Sequence, residues 1–131
     1  MNKTQNFVED AAVSYPVRPV PSLHDATSGR LDAECIAAFF SLSSVELAQI
    51  LEVPPFILQQ PDAPELQPGL LGLERIAAAL LFMAGNEENG RLWLSLPEIQ
   101  ISNQTPLALI KQGRGQVVAE ILEDMTWGQP S

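Results

Sequence analysis

Thr105-Pro106-Leu107-Ala108-Leu109-Ile110, the step at Gly113, and Gly115 to Met125 decide the fold of this chain. Thr105 is a good N-cap, and Pro106 stands at the first helical position, where its missing N–H costs nothing. Gly113 suits the left-handed stop after Lys111. Beyond it, Val117, Val118, Ile121, Leu122 and Met125 fall on one face of a helix, with Glu120, Glu123 and Asp124 mostly off it. Upstream, Arg91-Leu92-Trp93-Leu94-Ser95-Leu96-Pro97 predicts another short helix, and Trp127-Gly128 closes the block. The pattern is wholly helical.

Working back toward the N-terminus, Leu70 to Ala84 is apolar nearly all round, with Glu74 and Arg75 its only charges. Such a helix must be buried on most sides. It lies at the centre of the core or pairs with a copy of itself, and the run Ala77-Ala78-Ala79 suits the second arrangement. Gly85 ends it, and Asn86-Glu87-Glu88-Asn89-Gly90 reads as a polar turn.

Leu31 to Gln60 predicts a helix-turn-helix. Asp32 to Phe40 is its first helix. Ser43 with Glu46 makes a capping box that opens a second, Val45 to Leu51. Pro54 and Pro55 force a turn, and Pro55 opens a third helix through Phe56, Ile57 and Leu58. Leu47, Ala48, Leu51, Val53 and Ile57 match the spacing of such a core.

The order of Trp93-Leu94, Pro97, Thr105-Pro106-Leu107, Gly113, Val117-Val118, Leu122 and Trp127-Gly128 resembles the toxin-binding domain of the MbcA/ParS/Xre antitoxins. The segment 31–60 resembles the Xre-type helix-turn-helix that forms the usual N-terminal half of those proteins. There is one departure. Where the family often carries a Gly-rich step before the Thr-Pro, this chain has Ser102-Asn103-Gln104, of which Asn accepts left-handed geometry.

The resemblance implies a mainly α fold, with a helix-turn-helix bundle followed by a small helical toxin-binding domain. Its parts would be an arm (1–30), the helix-turn-helix (31–66), a central apolar helix suited to dimerisation (67–89) and the toxin-binding domain (90–131). It also implies a function: neutralising a RES-domain, NAD-degrading toxin by covering its active site. The surface would comprise Arg91, Trp93, Arg114, Gln116, Glu120, Glu123, Asp124 and Trp127. Two other classes stand beside this one, a regulator of its own operon and a non-enzymatic dimeric adaptor.

Charge bears on these alternatives. The 131 residues hold 16 Asp and Glu against 7 Lys and Arg, a net charge of −9, which favours basic partners and repels nucleic acid at long range. Between Leu31 and Glu74 there is no cation, while Asp32, Glu34, Glu46, Glu52, Asp62, Glu65 and Glu74 are all acidic. Duplex binding rests largely on cations at phosphates. Gln59 and Gln60 could read bases, with Arg18 and Arg30 the nearby positive charges, but the motif reads better as a scaffold. DNA binding is therefore expected to be weak for the chain alone and possible only in a toxin complex.

Catalysis finds little support. The single His24 falls in the arm, and Cys35 reads as a small buried helix residue. No His/Cys cluster for a metal and no phosphate loop are present, so no cofactor is expected. One cysteine permits no internal disulfide, which with the lack of a secretory leader suits the cytoplasm. No apolar run is read as long enough to span a membrane. In the arm, Tyr15, Val17 and Val20 among Pro16, Pro19 and Pro21 give either a loose terminus or a strap on a second subunit.

Overall fold

A computed structural model describes residues 19–126. Among the described residues six α-helices follow one another: α1 (Ala33–Phe40), α2 (Ser44–Leu51), α3 (Gln67–Ala84), α4 (Glu87–Leu94), α5 (Pro106–Lys111) and α6 (Gly115–Thr126). Short 3-10 turns at Pro21–Leu23, Pro55–Gln59, Pro64–Leu66 and Ile99–Ile101 link them. Among the described residues there is no β-strand, only isolated bridges between His24 and Leu31 and between Glu98 and Gln104.

Local chemistry sets most boundaries. The Asp32 carboxylate accepts from the N–H groups of Glu34 and Cys35 and starts α1. At α2 the capping box closes both ways, Glu46 N–H to Ser43 Oγ at 3.0 Å and Ser43 N–H to Glu46 Oε1 at 2.9 Å. The turn between the two bends the chain by 107°. Thr105 Oγ1 accepts from Ala108 N–H at 3.1 Å and opens α5. The Ser102-Asn103-Gln104 step turns on Ser102 and Asn103, both left-handed at φ 58° and 64°.

Three segments depart from the sequence reading. Where the sequence predicts a third helix after Pro54, the chain forms one 3-10 stretch, Pro55–Gln59, with no buried residue. The polar turn at 86–90 is mostly helix: Asn86 caps α4 by accepting from Asn89 N–H. Glu87 and Glu88 sit in its first turn, where the helix dipole favours them. Gly90 is then buried, its missing Cβ 3.5 Å from Leu80. Finally, the arm is ordered from residue 19 on, with Val20 and Leu23 buried in the core of their own chain. Tyr15, Val17 and Arg18 lie outside the described residues.

α3 is the axis of the bundle. Leu70, Leu73, Ile76, Ala77 and Leu80 are each 5% exposed or less. They join one continuous cluster with Ile36, Phe39 and Phe40 of α1, Leu47 of α2, Leu94 of α4, Leu109 and Ile110 of α5, and Val118 and Leu122 of α6. Leu71 and Phe82 face outward. Counted from its leading 3-10 turn, Pro64–Ala84 does reach membrane-spanning length and apolarity, with 21 residues and a mean hydropathy of 1.3 over its 18-residue window. The sequence reading missed this by starting the helix at Leu70. That window is 39% buried: one face packs against the other helices, and the helix is not buried on most sides as its composition suggests.

Candidate functional site

A groove of about 730 Å³ runs along α3. Its walls come from three elements. The end of α2 supplies Ile50, Leu51 and Glu52; α3 supplies Gly69, Gly72, Leu73, Arg75, Ile76 and Ala79; α6 supplies Gly115, Gln116, Ala119, Glu120 and Glu123. Close approach explains two of the glycines. A Cβ on Gly69 would stand 2.5 Å from Leu51 Cδ2, and one on Gly115 would stand 3.1 Å from Ile76 Cδ1. The floor is apolar. The charges are three carboxylates, Glu52, Glu120 and Glu123, against the guanidinium of Arg75.

Part of the expected toxin-binding set meets here. Gln116, Glu120 and Glu123 recur at helical spacing along α6 and all line the groove, with Gln116 Nε2 donating to Glu120 Oε2 at 3.5 Å. Arg114, ahead of α6, and Asp124 are exposed outside the lining. Arg91 is elsewhere. On α4 it donates to Glu87 Oε1 at 2.9 Å and borders a second cleft of about 400 Å³ with Leu23, Cys35 and Phe39. Trp93 is half-buried against the core. Trp127 lies outside the described residues.

The candidate DNA contacts do not converge. Gln59 and Gln60 are exposed at the end of the 3-10 turn. Arg30 is engaged by Asp62, donating from Nε to the carbonyl oxygen at 2.9 Å and from Nη2 to Oδ2 at 3.3 Å. The Ser28 hydroxyl, and after it Arg30, hold the Asp62 carboxyl below its ordinary value. Lys111 pairs with Glu46 at 3.3 Å; the Ser43 N–H, and after it Lys111, lower that carboxyl as well. Cations so occupied are poor phosphate clamps. Among the described residues no cluster of three or more His, Cys, Asp or Glu could hold a metal ion. Burial, and after it Asp32, push the Cys35 thiol up, away from the thiolate that a nucleophile needs.

The sequence reading missed one polar centre. Glu74 is 5% exposed in the middle of α3. Its Oε2 accepts from Val20 N–H at 2.8 Å and meets His24 Nε2 at 2.7 Å. His24 Nδ1 is 2.8 Å from the carbonyl oxygen of Gly29. Both ring nitrogens thus face acceptors, and only the doubly protonated ring can donate to both. Burial opposes the charge on His24, but Glu74 and the Gly29 carbonyl outweigh it and raise the pKa above the usual 6.5. This pair ties residues 20–31 to the core. Its only sequence signal was a lone carboxylate, beside Arg75, in a mostly apolar helix.

No protein-family model matches the chain, and no curated protein matches it. A solved structure does. It is a chain of the M. tuberculosis MbcT-MbcA toxin-antitoxin complex, similar over 76% of this chain and 94% of that one, with a TM-score of 0.50 and 18% sequence identity. The helical fold implied by the resemblance of the C-terminal block is the fold this chain has.

Proposed function

We propose that this protein is the antitoxin of a type II toxin-antitoxin pair, acting in the cytoplasm by binding a RES-domain, NAD-degrading toxin. It acts as a stoichiometric inhibitor, without catalysis of its own. The observation that carries this reading is the fold likeness to a chain of a toxin-antitoxin complex across 94% of that chain. The Thr105-Pro106, Gly113 and Val117-Val118 block supports it independently, since those residues form the caps and core face of α5 and α6.

The binding surface is centred on α6. Gln116, Glu120 and Glu123 present polar groups beside an apolar floor, and Asp124 extends the acidic face. Trp127 follows in the sequence as an aromatic anchor of the kind that dominates interfaces. An acidic, aromatic-tipped end suits a basic dinucleotide site and would cover it. The engagement of Arg30 and Lys111 by carboxylates weighs against operator binding by the chain alone. Self-association through the outward face of α3, at Leu71 and Phe82, belongs to the same reading.

Sedimentation tests both parts together. Alone at micromolar concentration the chain is expected to sediment as a dimer. Mixed with a RES-domain toxin, it is expected to shift into a heavier complex. Independent sedimentation of toxin and chain would remove the antitoxin reading, and a clean monomer would remove the dimer.

A further inference from the structure

Gly72 has no reason within its own chain to be glycine. It lies inside α3, where glycine loses more conformational freedom on folding than any other residue. It is the one described glycine with neither a left-handed φ nor any atom within 4 Å of where its Cβ would stand. The space that a side chain would enter is the groove. A helix interior that gives up a side chain facing an open groove is suited to close approach by another backbone.

The groove has the shape and charge for one class of occupant. From Gly69 to Ala79 it follows α3 for ten residues, or about 15 Å at the rise of an α-helix. That is the length of two to three turns. Ile50, Leu73, Ile76 and Ala119 make its floor apolar, and its charged lining carries three carboxylates against one guanidinium. α3 and α6 line it along its length, and the end of α2 adds Ile50, Leu51 and Glu52. An apolar stripe flanked by lysines or arginines matches this on both counts.

We propose that the groove seats a basic amphipathic helix of the toxin, lying along α3 with its backbone close to Gly72. The proposal rests on the antitoxin reading for the identity of the partner. Gly72 admits that helix, the apolar floor takes its anchors, and Glu120 and Glu123 face its cations.

The test uses the full chain and a synthetic 14-residue helical peptide with leucines on one face and lysines on the other. The wild type is expected to bind it, and a peptide with glutamates in place of the lysines is expected not to bind. Gly72→Leu puts a side chain into the groove from a Cβ position with no atom within 4 Å, and it restores helix propensity. The melting temperature of this variant should hold or rise while peptide affinity falls roughly tenfold or more. E120K/E123K should weaken the lysine peptide and allow the glutamate peptide to bind.

Equal affinity of the lysine peptide for the wild type and a folded Gly72→Leu variant would overturn the proposal, as would no binding by the wild type. Because this arm contains no toxin, a failed groove is told apart from a failed antitoxin assignment, which sedimentation with the toxin reads separately.

Discussion

A chain cut after Gly113 is expected to lose its cooperative melt. The sequence alone suggests otherwise, since the caps and apolar positions of residues 31–66 all lie upstream and read as a half that keeps its fold. The structure shows why that half depends on the C-terminus. Val118 and Leu122 are fully buried and Ile121 nearly so, and Val118 and Leu122 belong to the same cluster as Ile36, Leu47, Leu70 and Leu80. Removing α6 strips these side chains from α3, at about 1.5–3 kcal/mol for each buried aliphatic. It also opens the face of Ile76 to water. The sum is comparable to the whole stability of a domain, about 5–15 kcal/mol. Thermal unfolding followed by circular dichroism should show a broad, shallow change for the truncated chain in place of a sharp transition. A sharp transition near the wild-type temperature would mean that residues 31–113 hold a core of their own.

His24→Gln is expected to cost stability in acid and little in base. With both ring nitrogens facing acceptors, the charged ring is the form that the fold holds. Its folded pKa lies above 6.5. Stability from such a group is fully present below the unfolded value and is lost as the pH rises through the folded one. Near pH 5.5 the substitution should cost about 1.5–3 kcal/mol, the range for a hydrogen bond to a charged group. Near pH 9 the gap between wild type and variant should shrink toward the cost of a neutral contact. Urea unfolding at the two pH values reads both numbers. A gap that widens with pH would mean that the neutral ring is the native form. Because the pair anchors Val20 and Leu23 to α3, hydrogen exchange at Val20 N–H should quicken together with the loss.

Much of the helical order was legible in the sequence because it depends on near neighbours. The Ser43–Glu46 box, Thr105-Pro106 and the stop at Gly113 act within three or four residues, and each stands where the sequence placed it. The break at 86–90 was misread because Gly90 looked like a turn residue. Gly90 is instead a buried residue of α4 packed against Leu80, a contact that no local pattern records. The same holds for Gly69 against Leu51 and Gly115 against Ile76.

The candidate site was legible only along α6. Gln116, Glu120 and Glu123 share a face by helical spacing, and that much is local. The facing wall, from Gly69 to Ala79 and at the end of α2, joins them through tertiary packing. Arg91 looked like a companion because it opens the same block of sequence, but α4 carries it to the cleft beside α1. The His24–Glu74 pair spans 50 residues, and nothing near either residue marks the other.

The most direct measurement of the antitoxin assignment is NAD consumption by the purified RES-domain toxin, titrated with the full-length chain. Turnover is expected to fall to background as the chain reaches a fixed stoichiometric ratio and to stay there. Undiminished turnover in the presence of excess chain would contradict direct neutralisation.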